Sequence, residues 1–160
     1  MSKIQHSVEV GVPVRTAYNQ WTQFATFPDF MEGVQTVEQL TDTRTVWVAE
    51  IAGVRREFEA EIVEQCPDER VAWCTVTSPH HTGVVSFDPV HESATRVTLT
   101  MEYDPMGPVE RVGDALGIVG RRIGRDLNRF RAFIESRGVE TGAWRGEIPP
   151  VTVPRPREPR

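Results

Sequence analysis

The sequence predicts an α+β domain: an antiparallel sheet of about seven strands with a single long helix covering one face. Three observations carry this. Between Val34 and Tyr103, short stretches alternate apolar and polar residues with a period of two and are parted by turn-forming clusters such as Thr41-Asp42-Thr43 and Pro67-Asp68-Glu69. After Pro108 the period changes, and Val112, Leu116, Val119, Ile123, Leu127, Phe130 and Ile134 recur at intervals of three and four. Strands set in register through their turns then send their large apolar side chains to one side only.

In chain order, Ile4–Val10 alternates and reads as a half-buried strand. Pro13 opens a short helix over Val14–Phe24, in a position where a missing N–H costs nothing. Phe27-Pro28-Asp29-Phe30-Met31 is too short and breaker-laden for more than one helical turn. Six strands follow, over Val34–Leu40, Thr45–Ile51, Val54–Glu64, Val71–Val76, Gly83–Asp88 and Thr95–Tyr103. Gly138 ends the long helix. The chain therefore divides into one domain over residues 1–138 and a Gly/Pro-rich, basic tail over residues 139–160. Five prolines in the last twelve residues predict disorder for much of that tail, with Trp144 and Ile148 as apolar anchors by which part of it can dock.

A chain of 160 residues with 39% hydrophobic and 26% charged content suits one domain. No apolar run approaches the roughly 20 residues that span a bilayer, and the first residues lack a signal-peptide core, so a cytoplasmic protein without a membrane span is expected. The net charge of −5 argues against nucleic acid as a partner. It is unevenly divided: residues 1–108 hold 7 basic and 16 acidic side chains, while residues 109–160 hold 11 and 7. Only Cys66 and Cys74 are present, which excludes a disulfide scaffold and fits a reducing compartment.

Turn parity sorts the side chains. With Ala52-Gly53 as a two-residue hairpin, Ile51 faces Val54, Ala49 faces Arg56 and Trp47 faces Phe58. With Pro67–Arg70 closing the next, Ile62 faces Thr75 and Glu64 faces Trp73. The interior face then carries Trp47, Phe58, Ala60, Ile62, Trp73, Thr75, Val85, Phe87, Leu99, Met101 and Tyr103. The opposite face carries Arg55, Glu57, Glu59, Glu61, Ser86, Arg96, Thr98, Thr100 and Glu102. Cys66 and Cys74 fall on opposite faces. Four glycines, Gly113, Gly117, Gly120 and Gly124, interrupt the covering helix at about 1 kcal/mol each relative to Ala. Close approach to the sheet, room for a ligand, or a kink would each account for them.

This order, together with Val12-Pro13-Val14, Trp21-Thr22-Gln23-Phe24, Phe27-Pro28-Asp29-Phe30-Met31, Asp68-Glu69-Arg70-Val71-Ala72-Trp73 and Thr95-Arg96-Val97-Thr98-Leu99, resembles the START-like (SRPBCC) superfamily. The resemblance covers roughly residues 2–147 and is nearest to the bacterial polyketide cyclase/dehydrase branch, which is coenzyme-Q-binding-like. It implies a helix-grip fold, with the curved sheet wrapped round the long helix and a cavity between them for a hydrophobic polyketide, lipid or isoprenoid. It does not separate carriers from enzymes, because one fold hosts both.

On that expectation the cavity wall comprises Trp47, Phe58, Trp73, Thr75, Phe87, Met101, Met31, Leu116 and Gly120. Three side chains are candidate catalytic groups. Arg56 points inward by parity and can meet an enol, carboxylate or carbonyl oxygen, although a strand-end Arg also snorkels to solvent. Tyr103 can donate a proton or simply fill the core. His6, on the face of Ile4 and Val8, is either an acid–base group or a satisfied core histidine. His80-His81 falls in a loop near a cavity mouth. No zinc-type spacing, phosphate loop, GxGxxG or nucleophile elbow occurs, so neither a metal nor a cofactor is expected. Arg121, Arg125 and Arg129, joined by Arg122, form a basic helix stripe, either a solvated face or a dock for an acidic carrier protein. The sequence thus supports binding of a small hydrophobic molecule, or alternatively a cyclase/dehydrase (aromatase) closing a poly-β-ketone chain by aldol addition and loss of water.

Overall fold

The computed structural model describes residues 2–51, 54–76, 81–103 and 109–149, with the backbone alone for residues 2, 51, 54, 103 and 109–119. Seven strands form one antiparallel sheet: β1 (Ser2–Val10), β2 (Val34–Gln39), β3 (Arg44–Ile51), β4 (Val54–Cys66), β5 (Arg70–Thr75), β6 (His81–His91) and β7 (Ala94–Tyr103). Their spatial order, β1-β7-β6-β5-β4-β3-β2, is a meander with the first strand returned beside the last. Helix α1 (Val14–Trp21) and a 3-10 helix over Phe24–Asp29 follow β1, and α2 (Val109–Arg137) is the long helix. The sheet curls into a half-barrel around α2, the helix-grip arrangement.

The alternation in sequence becomes an alternation in burial. Along β6, His81, Gly83, Val85 and Phe87 are buried, while Thr82, Val84 and Asp88 are exposed. Ile123, Leu127, Phe130 and Ile134 of α2 are buried against the concave face. Side chains of that size each contribute roughly 1.5–3 kcal/mol when fully buried. An aromatic cluster closes one end, with Trp21 5.2 Å from Phe27 and 5.1 Å from Phe130, and Phe30 5.2 Å from Phe130. Helix α1 starts at Val14, so Pro13 stands just ahead of its first helical residue rather than within it, and it ends at Trp21, short of Phe24.

The β3–β4 register is the one parity predicts, with Trp47 opposite Phe58 and Ala49 opposite Arg56. The β4–β5 register differs. Asp68 adopts the left-handed conformation (φ 63°), which short polar residues tolerate, and the turn is tighter than expected. A bulge then shifts the pairing between Ile62 and Glu64, so Ile62 faces Trp73 and Ala60 faces Thr75. Beyond the bulge the faces exchange. Gln65 turns inward and is buried, whereas Glu64 pairs with Arg70 at 2.9 Å on the other side. Cys66 thereby joins the face of Cys74, contrary to simple parity. The register sets them about four residues apart along the sheet, roughly 13 Å and too far for a disulfide, and both are free thiols.

The bulge has a second consequence. Gln65 exchanges two backbone hydrogen bonds with Ile148, at 2.8 and 2.9 Å, so the segment after α2 runs against the end of β4. Asn19 donates to Glu140 at 3.1 Å, and the Gln20 side-chain Oε1 accepts from the Thr141 main-chain N–H at 2.8 Å. Thr22 accepts from the Trp144 N–H at 3.0 Å. Arg145 donates to Asn19 at 2.7 Å, pairs with Asp68 at 2.9 Å, and lies 5.5 Å over the Tyr18 ring. These contacts explain why Asn19 and Gln20 are buried on α1. Residues 150–160 of the tail lie outside the described residues.

Candidate functional site

Between the concave face of the sheet and α2 lies a cavity of about 150 Å³. One side is the aromatic floor of Trp21, Phe24 and Phe27, with Met31 and Val34 beside it. The sheet wall is Trp47, Ala49, Phe58, Ala60, Ile62, Val71, Trp73, Leu99 and Met101. Trp47 and Phe58, cross-strand partners, stack with planes 5° apart and centroids 6.1 Å apart. Helix α2 supplies Arg122, Ile123, Asp126 and Leu127.

The polar groups of the wall are few. The Trp47 indole N–H donates to the Thr45 hydroxyl at 2.8 Å, and that hydroxyl donates to the Ala60 carbonyl at 3.4 Å, so the tryptophan shows the cavity only carbon. His81 is buried, its ring 5.2 Å from Phe58 and edge-on to it. Its main-chain N–H donates to the Thr75 hydroxyl at 2.9 Å, which anchors the start of β6. Asp126 is buried, with Oδ1 accepting from the Glu32 N–H at 3.2 Å. Burial pushes its carboxyl above the ordinary 3.8, only partly offset by that hydrogen bond and by Arg129 and Arg122 nearby. Arg122 reaches across Gly33 to donate to the Glu50 carbonyl.

Of the side chains expected in the wall, Trp47, Phe58, Trp73, Met101 and Met31 are brought together around the cavity. Phe87 is buried elsewhere, edge-on to Tyr18 and Trp21, and is a core residue. Thr75 is committed to the β5–β6 connection through His81 rather than to the cavity. Gly120 lies against β1, where an added Cβ would sit 3.7 Å from the His6 ring and 3.8 Å from Ile4; Gly124 likewise meets His6 at 3.5 Å. The space beside these two glycines is therefore filled by β1 side chains at ordinary contact distance and not left for a ligand. Leu116 and the Tyr103 side chain, like Gly113 and Gly117, fall where side-chain surroundings lie outside the described part.

The candidate catalytic groups also separate. Arg56 is exposed although parity directs it inward, because a long cationic side chain near a strand end reaches water. His6 packs on the α2 glycines, away from the cavity lining. Three polar side chains that line the cavity, His81, Asp126 and Arg122, were not singled out from the sequence as site residues. His81 begins β6 instead of lying in a loop, and the alternation His81-Gly83-Val85-Phe87 is the signal for it. Asp126 and Arg122 each precede a residue of the apolar stripe, and such flanking positions turn into a cavity when the sheet curls round the helix. Arg121, Arg125 and Arg129 are exposed, with Arg129 3.4 Å from Glu32. Among the described residues no cluster of metal-binding side chains occurs, and no helix is long and apolar enough to cross a membrane.

Comparison with known proteins agrees with this architecture. The family model described as "Polyketide cyclase / dehydrase and lipid transport" matches residues 10–131. An uncharacterised 17.2 kDa protein of Streptomyces lincolnensis is 56% identical over 149 residues, 92% of this chain and 99% of its own length. The fold is shared with an aromatase/cyclase of a Streptomyces species (TM-score 0.76, 16% identity, 89% of this chain and 99% of that one). It is also shared with a START superfamily protein of Mycobacterium smegmatis (TM-score 0.71, 13% identity, 82% and 98%). With most of its length matched by the family model and a helix-grip cavity of the START-like kind, the chain belongs to the polyketide cyclase/dehydrase and lipid transport family.

Proposed function

We propose that the protein binds a small, largely hydrophobic and planar molecule in the cavity between the sheet and α2. The observation that carries this is a space walled mostly by carbon, with the Trp47 N–H already satisfied and the parallel Trp47 and Phe58 rings in its wall. A concave, mostly apolar pocket with a few placed polar groups is the general form of a small-molecule site. A dry apolar cavity of about this size accommodates a benzene-sized molecule. The reading fits a cytoplasmic protein in which Cys66 and Cys74 stay reduced.

The test is extraction of the purified protein with organic solvent and mass spectrometry of what is released, alongside titration of Trp fluorescence with one-ring and two-ring hydrocarbons. Ala60→Leu, which fills the wall, is expected to weaken probe binding by about tenfold or more while thermal unfolding stays cooperative. Absence of any saturable binding by the unmodified protein would sink the proposal.

Asp126 and His81 favour a second reading, the cyclase/dehydrase one. Closing a β-ketone chain needs a base to take an α-proton, attack of the resulting enolate carbon on a second carbonyl, and protonation of the alkoxide; a second α-proton is then removed, its C–H pair forms the C=C bond, and the hydroxyl, protonated by the acid, leaves as water. The His81 imidazole suits the base role, and a buried carboxyl held toward its neutral form suits the acid role. Turnover of a poly-β-ketone lost in Asp126→Asn and in His81→Phe, with ligand still bound, would establish catalysis. An acidic carrier protein delivering such a chain would meet the exposed Arg121 and Arg125. Binding that weakens steeply with salt and in Arg121→Glu is the corresponding measurement.

A further inference from the structure

We infer that Arg122 and Asp126 form a polar pole of the cavity that selects ligands bearing a carbonyl oxygen over hydrocarbons of the same shape. The inference rests on the cavity-binding reading above and assigns the ligand a chemical feature that reading leaves open.

The two residues stand one helical turn apart on α2, at i and i+4, where side chains share a face. Both line the cavity. Arg122 is held in a slot: a Cβ at Gly33 would lie 2.6 Å from its Nη1 and 3.1 Å from the Glu50 carbonyl oxygen that its guanidinium engages. The guanidinium is thus fixed by one hydrogen bond and a missing side chain. Its Nε–H is buried and has no acceptor among the described residues. A buried donor left without an acceptor is costly, so an acceptor oxygen arriving with the ligand is rewarded beyond its contact area.

A neutral acceptor suits this pole better than a carboxylate. The arginine cation already has an acidic neighbour in Asp126, whose Oδ1 is occupied by the Glu32 N–H. A second buried anion beside it would be repelled unless the carboxyl kept its proton.

The experiment compares tetralin with 1-tetralone, equal in shape apart from one carbonyl, by titration of intrinsic Trp fluorescence. The unmodified protein is expected to bind the ketone about tenfold more tightly, the discrimination of one hydrogen bond to a buried charged donor. In Arg122→Met the ratio of the two affinities should fall to about one. Gly33→Ala keeps the charge but obstructs its seat, and should lower the ratio as well. A ratio near one in the unmodified protein, or a tenfold ratio surviving in Arg122→Met, overturns the inference while leaving cavity binding intact. Failure of both probes to bind the unmodified protein overturns the two together.

Discussion

Gly83 provides a direct test of how the cavity wall is built. It lies opposite Trp73 on β5 and Met101 on β7, and the Trp73 indole rests on it. A Cβ added at Gly83 would come within 2.5 Å of both Cε2 and Cη2 and nearer still to Cζ2, where ordinary contact begins at 3.4 Å. The obstacle is a rigid ring, so in Gly83→Ala the indole must move by about 1 Å, and the open space on its side is the cavity. Overpacking of this kind costs about 1–3 kcal/mol. Replacing a strand glycine by alanine returns about 0.5–1 kcal/mol through the backbone. The net destabilisation is therefore at most about 2.5 kcal/mol and centres near 1 kcal/mol, which for a chain of this size lowers Tm by about 2–4 °C. Scanning calorimetry measures that shift. Near-ultraviolet circular dichroism and Trp emission should change with it, and affinity for a two-ring hydrocarbon should drop. A variant melting within about 1 °C of the parent with unchanged tryptophan spectra would refute the argument, since it would mean that Trp73 does not rest on Gly83.

Three further outcomes are expected. Arg145→Ala removes a hydrogen bond to the buried Asn19, a half-exposed ion pair with Asp68 and a cation–π contact with Tyr18, destabilising the fold by about 1 kcal/mol or more. Hydrogen exchange should accelerate at the Gln65 and Ile148 amides; unchanged exchange would mean the segment is held without Arg145. Burial raises the Tyr18 phenol above its ordinary 10.0, with Gln65 and Arg145 partly opposing. The native state therefore holds this proton more firmly than the unfolded chain. Its contribution is complete below pH 10 and is lost as pH rises through the native value, so the alkaline loss of stability should be shallower in Tyr18→Phe. Asp126 also has a raised native value, so its contribution is complete below pH 3.8 and declines as pH rises through that native value. Asp126→Asn should accordingly gain in urea midpoint relative to the parent between pH 3 and pH 7; a pH-independent difference would contradict a buried carboxyl.

The strand pattern was legible because a period of two is a local property: each residue's face follows from its neighbour's until something breaks the count. Something does at Val63. The bulge there exchanges Glu64 for Gln65 on the inner face and brings Cys66 to the side of Cys74. No local pattern announced it, because Ile62-Val63 is apolar at both positions and either can face inward. His81 was assigned to a loop for a related reason. Its neighbours Ser78-Pro79-His80 read as a break, and only its pairing with Tyr103 makes it the first residue of β6.

The polar side chains show the division most clearly. Arg56 satisfies parity yet stands in solvent, whereas Arg122, read as part of a basic helix face, lies against the cavity. Parity assigns a face of the sheet but not its depth, and helical periodicity assigns an angle but not what the curled sheet places opposite it. The sequence alone therefore determined the α+β class, the single apolar face and the covering helix, since those follow from hydrophobic periodicity. Tertiary structure decided which residues meet in the cavity, that Gly120 and Gly124 seat His6, and that residues 139–149 close over α1. Those outcomes depend on contacts between segments up to about 126 residues apart, such as Asn19 with Arg145, and no window of local sequence encodes them.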